Sequence, residues 1–269
     1  MTSILFLGDF GSGNEGQYAV SRLLEKLIEK YKCKLILGLG DNIFPNGVKS
    51  VNDPQFLDKF ELPYSNLSDN IKFFNVLGNH DYNIKVSPRN EIKYTKISNK
   101  WIMPHNFYCF RKKFNNVPVE FIGIDTNLTK MKNRKLQEQW LLNTIYESRC
   151  RWIVVFGHHP WKSFSNKREE DYELDELYTK INNIGKVDLI LSGHEHNKQH
   201  IYIPDKPNMV ICGVGSIKEE NIKFYNNQEL KFCSDTLGCG KIDFFKNTMN
   251  IYFYNVSCEK EYSFIINKI

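Results

Sequence analysis

Six side chains of the kinds that bind metal ions follow apolar, strand-like runs of the chain. A glycine stands at or near each strand tip, and glycine lets the backbone turn sharply and approach a ligand closely. Carboxylate, amide and imidazole groups together suit hard and borderline ions such as iron, manganese or zinc, whereas a structural zinc knot would need thiolates. The six candidate metal ligands are Asp9, Asp41, Asn79, His158, His194 and His196.

The segment LILGLGDN at residues 35–42 shows how the chain can position such groups. Its apolar run is short, which is typical of a strand buried on both faces of a helix-covered sheet. Open α/β folds keep their sites beyond the carboxyl ends of such strands, so we expect Asp41 at a strand tip. A single Asp after a strand is usually a turn former or a helix N-cap. The recurrence of the pattern at four other strand ends favours a shared functional site.

Strands alternate with helices over most of the chain and then give way to strands alone. Amphipathic periodicity predicts the helices, and short apolar runs predict the strands. The predicted helices are 17–31, a short one near 54–60, 91–98, 135–146 and 174–184. The predicted strands are 4–7, the run before Asp41, 72–77, 107–114, 119–124, 152–156, 187–191, 209–214, 244–245, 251–254 and 262–266.

Length and composition indicate a globular chain with a full core. Its 269 residues are 41% hydrophobic and 25% charged, with neither a linker nor an internal repeat, so we expect a single domain over residues 1–269. The net charge of +5 is spread along the sequence without a basic, aromatic-rich cluster. That distribution favours anionic substrates and argues against nucleic acid as a partner.

Cysteine usage and hydropathy indicate a protein of a reducing compartment. The seven cysteines form no CxxC pair and mostly stand in apolar runs. No run is long and apolar enough to span a bilayer, and the chain opens directly into a strand-like segment without a leader pattern. We therefore expect a cytoplasmic protein, or a mature form whose leader has been removed, with no membrane attachment and no obligate protein partner.

Five motifs, GDFG, GDNIF, GNHD, VFGHH and GHEH, occur in this order along the chain. They resemble those of the calcineurin-like metallophosphoesterases, and more narrowly those of the small, tartrate-resistant type of purple acid phosphatase. Similarity in 75–81, 94–101 and 125–126 extends the resemblance over residues 3–217, whereas 218–269 carry no family signal. The resemblance implies an α/β fold, an αββα four-layer sandwich of two mixed β-sheets flanked by helices. It also implies hydrolysis of phosphomonoesters.

The resemblance further implies a binuclear metal centre in which Asp41 bridges two ions. Two such cations clamp a phosphoryl group and lower the pKa of a bridging water, so that it attacks phosphorus as hydroxide. The ions would be Fe, Mn or Zn, and the substrate would be a small phosphorylated molecule. One ion would be held by Asp9, Asp41 and His196, and the other by Asp41, Asn79, His158 and His194.

Three further residues near these motifs have expected roles. The resemblance makes His80 the catalytic candidate, which contacts phosphate beside Asn79 and protonates the leaving alkoxide. A structural hydrogen bond from His80 to a neighbouring loop is the alternative. Nothing in the family pattern requires a histidine at His159, where we expect packing or support of the metal ligands. Asp125 is expected to be a structural turn residue.

Three features depart from the family pattern. Phe44 replaces the tyrosine that gives purple members their phenolate ligand, and Gly11 stands where other metallophosphoesterases have a DxH histidine. The first ion would therefore keep only three protein ligands. The family's additional active-site histidine aligns with Lys167, which could bind the substrate phosphate as a point charge. The segment 125–135, which covers the site in mammalian relatives, is short here and predicts an open site.

The sequence leaves two other functions open. A phosphodiesterase or nuclease could use the same fold, although the missing DxH motif and basic platform argue against nuclease activity. A binding protein could retain the fold after losing the first metal through Phe44. A tyrosine elsewhere, such as Tyr82 beside the GNHD motif, could instead replace the missing phenolate.

Overall fold

Two seven-stranded β-sheets pack face to face in the structure, a computed structural model that describes residues 3–165, 171–219, 223, 225 and 227–268. Helices flank the two sheets, so the expected αββα sandwich is confirmed. No helix within these residues is long and apolar enough to cross a membrane. The strands are β1 (Ser3–Leu7), β2 (Leu35–Gly38), β3 (Lys72–Asn75), β4 (Trp101–Ile102), β5 (Tyr108–Phe114), β6 (Val117–Gly123), β7 (Trp152–Phe156), β8 (Leu189–Ser192), β9 (Lys198–Ile201), β10 (Asn208–Cys212), β11 (Leu230–Ser234), β12 (Gly238–Phe244), β13 (Thr248–Asn255) and β14 (Lys260–Asn267). The helices are α1 (Glu15–Tyr31), α2 (Ser87–Tyr94), α3 (Arg134–Glu147) and α4 (Tyr172–Ile184).

Both sheets are mixed and contain a group of parallel strands. The first sheet has the order β14-β13-β12-β1-β2-β3-β4, and β1 to β4 run parallel. The second has the order β11-β9-β10-β8-β7-β6-β5, and β6, β7, β8 and β10 run parallel. Because the carboxyl ends of parallel strands meet at one edge, the loops after β1, β2 and β3 lie together. The loops after β6, β7 and β8 lie together in the same way.

Four of the parallel strands are buried on both faces, which explains their largely apolar sequences. Every residue of β1, β2, β7 and β8 is buried. A strand covered on both sides by other layers has no solvent-facing position that would favour a polar residue. The apolar run before Asp41 is therefore explained by the burial of β2, which lies between β1 and β3 in the interior of its sheet.

Helix α1 shows how the sequence sets the boundaries of an element. Its N-cap Asn14 accepts a hydrogen bond from the N–H of Gln17 at 2.9 Å, and Lys32 ends the helix in the left-handed conformation. The glutamate in the first turn and the lysine in the last turn complement the helix dipole. The apolar residues buried by α1 are Val20, Leu23, Leu24 and Leu27.

Several elements differ from the sequence prediction. Helix α2 begins at Ser87, ahead of the predicted start at residue 91, because Pro88 is well suited to the first turn of a helix. The helix predicted near residue 54 is a single π-helical turn, Leu57–Glu61. The sequence pattern does not predict β4 and β9, since β4 has only two residues and the KQHI sequence of β9 is largely polar.

Residues beyond 217 complete both sheets. Strand β11 pairs with β9 at one edge of the second sheet, and β12 lies beside β1, with β13 and β14 extending the first sheet. Phe6 is opposite Gly240 in this pairing, and a Cβ on Gly240 would lie 1.9 Å from the Phe6 ring. The missing side chain at Gly240 therefore makes room for a core phenylalanine.

Lys268, which follows β14 of the first sheet, forms hydrogen bonds to the second sheet. Its ammonium group donates to both carboxylate oxygens of Asp188, at 2.8 and 3.0 Å, and to the backbone oxygen of Arg151 at 2.9 Å. Asp188 also accepts a hydrogen bond from the N–H of Ile153 at 2.9 Å. Asp188 and Arg151 stand directly before β8 and β7, so this contact joins the two sheets at the edge opposite the carboxyl ends of the strands.

We expect Lys268→Met to lower the free energy of unfolding by about 1–2 kcal/mol, because charge-assisted hydrogen bonds are lost and Asp188 keeps a partly desolvated charge. The matched control is Lys26→Met on the exposed face of α1, which should stay within about 0.5 kcal/mol of the wild type. Urea unfolding followed by far-UV circular dichroism measures both changes. Equal unfolding midpoints for the two variants would contradict a stabilising contact at Lys268.

Candidate metal centre

Three of the candidate ligands occupy strained backbone positions at strand ends. Asp9, Asp41 and His194 have φ angles of 59°, 52° and 68°, in the left-handed region. Residues with a Cβ adopt such angles only where the surroundings fix the backbone. Neighbouring loops supply that constraint, since the N–H of Asp9 donates to the backbone oxygen of Gly40 at 2.9 Å. The N–H of His194 in turn donates to Oδ2 of Asp9 at 2.8 Å.

Ligand-type atoms from four loops crowd together at this edge. Oδ1 of Asn79 lies 3.0 Å from Nε2 of His158 and 2.9 Å from Nδ1 of His194, and the two ring nitrogens are 3.3 Å apart. Oδ2 of Asp41 lies 3.5 Å from the same nitrogen of His158. Nδ1 of His158 donates to the backbone oxygen of Leu39 at 2.9 Å, so Nε2 of the neutral ring carries a lone pair. The lone pairs of Asn79 and His158 therefore need a cation or a proton between them.

A second group of ligand atoms surrounds the carboxylate of Asp9. Oδ1 of Asp9 is buried, has no hydrogen-bond partner of good geometry among the described residues, and lies 3.4 Å from Nε2 of His196. The backbone oxygen of Asp9 accepts a hydrogen bond from the Ser216 hydroxyl at 2.6 Å, which fixes the loop. One oxygen each of Asp9 and Asp41 and one nitrogen of His158 lie within 4.8 Å of one another. A buried carboxylate oxygen without a partner is costly, so this oxygen is suited to a bound cation.

The structure thus brings all six candidate ligands together where the carboxyl ends of the two sheets meet. Neighbouring donor atoms around an ion at roughly 2.0–2.1 Å lie about 2.9–3.4 Å apart, depending on the coordination geometry. The four distances given above among Asp41, Asn79, His158 and His194 run from 2.9 to 3.5 Å. Two carboxylates, one amide and three imidazoles form a donor set for hard and borderline cations. The residues therefore fit a metal centre.

Burial and mutual interaction shift the pKa values of this group. Burial disfavours ionisation of Asp41, but the His158 and His80 imidazoles beside it hold its pKa below the ordinary value. Burial also disfavours the imidazolium of His158, yet the Asp41 carboxylate raises the pKa of His158 to about 9. Burial and the adjacent His158 lower the pKa of His194 to about 3. The cluster therefore requires positive charge, which a proton on His158 or a bound cation supplies.

His80 approaches the same cluster from the solvent side. Its Nδ1 donates to the backbone oxygen of Pro45 at 2.6 Å, and its N–H donates to Oδ1 of Asp41 at 2.9 Å. Its Nε2 lies 3.9 Å from Oδ2 of Asp41, and 33% of the side chain is exposed. The structural hydrogen bond considered as the alternative role of His80 is therefore present, and it also directs Nε2 towards the cluster.

Asp81 and Asn42, which sequence reasoning missed, hold the GDNIF and GNHD loops together. The Asp81 carboxylate accepts the N–H groups of Gly78 at 2.7 Å and of Asn42 at 3.0 Å. The Asn42 amide donates to Oδ2 of Asp81 at 3.0 Å and to Oε2 of Glu91 at 3.1 Å. Burial, and then the nearby Asp41 carboxylate, raise the pKa of Asp81 to about 7. Their positions in the sequence could have identified both residues, because Asn42 follows Asp41 in GDNIF and Asp81 comes two residues after Asn79 in GNHD.

Phe44 and Gly11 both leave the group around Asp9 without a further ligand. The Phe44 ring is buried, and its centroid lies 4.6 Å from that of His80 and 6.0 Å from that of His196. The backbone at Gly11 runs so close to the next loop that a Cβ there would lie 1.7 Å from the backbone oxygen of Asn42. A histidine at position 11 would therefore displace both loops, whereas a tyrosine at position 44 extends an existing ring by one oxygen.

The remaining predictions concern Tyr82, Asp125 and Lys167. The Tyr82 hydroxyl donates to Oδ2 of Asp125 at 2.5 Å, so it is not free to replace the missing phenolate. Asp125 is buried and also accepts the N–H of Asn127 at 3.0 Å, as a structural turn residue does. Lys167 lies outside the described residues.

The family model of the calcineurin-like phosphoesterases matches residues 2–198, and the chain belongs to this family. The matched region contains all six candidate ligands, and the resemblance seen in the five motifs is confirmed.

Individual relatives are purple acid phosphatases and proteins of the same fold. Purple acid phosphatase 4 of Arabidopsis thaliana is 28% identical, in an alignment that covers 95% of this chain and 80% of the relative. Tartrate-resistant acid phosphatase type 5 of Oryctolagus cuniculus is 28% identical, in an alignment that covers 76% of this chain and 67% of the relative. The structure of GAP50, described as the anchor in the inner membrane complex of Plasmodium, has a TM-score of 0.89 at 24% identity and covers 100% of this chain and 89% of that chain. This last similarity shows the fold.

Proposed function

We propose that this protein is a metal-dependent phosphomonoesterase of the acid-phosphatase type. The observation that supports the proposal most is the buried group formed by one oxygen each of Asp9 and Asp41 and one nitrogen of His158, which lie within 4.8 Å of one another and together form a donor set suited to a cation. Family membership supports hydrolysis of a phosphoester. The similarity to purple acid phosphatases supports a small monoester as the substrate.

We assign two adjoining ion sites that share Asp41. Two bound cations would polarise the phosphoryl group and acidify the attacking water. The protein holds the proposed ligands in fixed positions. Asp81 holds the loop of Asp41 through a hydrogen bond to Asn42, and the left-handed backbone conformations of Asp9 and His194 set the directions of their side chains. The proposed ligands are Asp9, Asp41 and His196 for one ion and Asp41, Asn79, His158 and His194 for the other.

We assign the proton transfer to the leaving group to His80. Its Nδ1 stays bonded to the backbone oxygen of Pro45, so Nε2 is the atom that carries the transferable proton. The exposed side of the ring lies at the solvent edge of the cluster, where the alcohol product must leave. The imidazolium, protonated on both nitrogens, can protonate an alkoxide from Nε2 as the bond to phosphorus breaks, which leaves the neutral ring with its Nδ1–H on Pro45.

Two other functions would give different results in the same experiments. A phosphodiesterase would hydrolyse bis-nitrophenyl phosphate faster than nitrophenyl phosphate. A binding protein, with an anchoring role like the one described for GAP50 of Plasmodium, would hydrolyse neither. Phe44 favours this second alternative, because it leaves the first ion with three protein ligands.

We expect chelation to abolish hydrolysis of nitrophenyl phosphate and added Mn²⁺, Fe²⁺ or Zn²⁺ to restore it. Asp41→Asn should lower kcat/KM by more than about 100-fold, because losing even an outer partner of a metal ligand costs about 10–100-fold. The matched control is Asp205→Asn, the same chemical change at an exposed position between β9 and β10. Full activity in protein shown by elemental analysis to be free of metal would refute the proposed function.

We expect His80→Ala to reduce hydrolysis of alkyl phosphates much more than that of nitrophenyl phosphate. Nitrophenolate leaves without a proton, whereas an alkoxide needs one, and general acid catalysis contributes roughly 10²–10⁴-fold. Steady-state kinetics with glycerol phosphate and nitrophenyl phosphate measures the difference. A loss of the same size on both substrates would assign His80 to phosphate binding instead of proton transfer.

We expect iron-loaded wild-type protein to be colourless and Phe44→Tyr to become purple. A tyrosinate on Fe³⁺ gives a visible charge-transfer band and favours the trivalent ion, whereas a phenyl ring can do neither. The existing contact of the Phe44 ring with His196, 6.0 Å between centroids, places position 44 beside the first site. Visible absorption of the two iron-loaded proteins is the measurement, with Phe107→Tyr as the control. A purple wild type would contradict the assignment of Phe44.

A further inference from the structure

A third imidazole, that of His159, lies against the two histidines of the proposed second site. Its ring centroid is 4.6 Å from that of His194 and 4.9 Å from that of His158. One ring nitrogen from each of the three residues lies within 4.8 Å of the others. The family pattern does not include a ligand at His159, and the sequence suggested only packing or support there.

Hydrogen bonds to two residues, Thr126 and Tyr178, fix His159. Its N–H donates to Oγ1 of Thr126 at 3.0 Å, its backbone oxygen accepts the Tyr178 hydroxyl at 3.0 Å, and its Nδ1 is 2.7 Å from Oγ1 of Thr126. Thr126 is buried, and a Cβ on Gly157 would lie 2.8 Å from the Thr126 methyl group. The ring of His159 is therefore held in place before any ligand binds.

The hydrogen bond to Thr126 is compatible with the tautomer of His159 that a metal ligand would need. A hydroxyl oxygen has two lone pairs, so Oγ1 of Thr126 can accept both the N–H and the Nδ1–H of His159. In that tautomer Nε2 of His159 carries the free lone pair. Metal-binding histidines are oriented in this way, with one ring nitrogen bonded to an outer partner and the other available to the ion.

We propose that His159 is an additional metal ligand, so that His158, His159 and His194 present three imidazoles to one divalent transition-metal ion. This nitrogen-rich set favours Zn²⁺, Co²⁺ or Ni²⁺ over Mg²⁺ or Ca²⁺, which prefer oxygen ligands. The inference rests on the metal centre of the proposed function and adds one protein ligand to its second ion.

The test is X-ray absorption at the zinc edge on the full chain loaded with one equivalent of Zn²⁺, where outer-shell scattering counts the imidazoles. We expect three in the wild type and two in His159→Phe.

Zinc titration should show an affinity about 10–100-fold lower for His159→Phe, and a loss in the same direction for Thr126→Val. Thr126→Ser keeps the hydroxyl and should bind like the wild type. His105→Gln is the control, because it removes an exposed imidazole elsewhere in the chain.

Two imidazoles in the wild type, unchanged in His159→Phe, with zinc affinities within about twofold, would overturn the role of His159 and leave the proposed function intact. A wild-type chain that binds none of Zn²⁺, Mn²⁺ and Fe²⁺ would overturn both. Circular dichroism of the metal-free variants checks their folding. The imidazole count in the wild type decides the question even if a variant does not fold.

Discussion

Lone pairs that face one another in a buried space impose the constraint on which the rest of this structure depends. The amide oxygen of Asn79 and one ring nitrogen each of His158 and His194 lie 2.9–3.3 Å apart, and the neighbouring Asp9 keeps an oxygen without a good partner. Such atoms repel one another unless positive charge lies among them. A chain that used this region only for packing would gain stability from replacing them by apolar side chains. The cluster is therefore suited to a bound cation, which would satisfy these atoms together.

The ligand residues stay in place despite this repulsion because backbone hydrogen bonds, more than side-chain contacts, fix the loops that carry them. Parallel strands end at a common edge, and each ligand follows its strand through a turn whose hydrogen bonds run to a neighbouring loop. Asp81 connects the loops after β2 and β3 through at least two backbone N–H groups. Rigid positioning of this kind keeps donor atoms at fixed separations without a bound ion, which lowers the entropic cost of binding one.

The sequence predicts the strands that deliver the ligands better than the interactions that hold them. Strands β2 and β7 were predictable because residues buried on both faces are uniformly apolar. Strand β9 is equally buried but has the sequence KQHI, and its Lys198 and His200 find partners in Glu261 and Tyr262, which are distant in sequence. The near-contact of Gly11 with the Asn42 backbone is likewise a property of two loops, and no local pattern contains it.

The position of β12 beside β1 affects how the chain can fold during synthesis. Phe6 pairs opposite Gly240, so β1 gains one of its two neighbours only after β12, more than 200 residues further along the sequence, has been synthesised. Until then β1 has an unpaired edge, and such edges invite pairing with other chains. Contacts between residues so distant in sequence form slowly because loop closure precedes them. The first sheet is therefore complete only after β12 has been synthesised, and the edge of β1 is open to pairing with other chains until then.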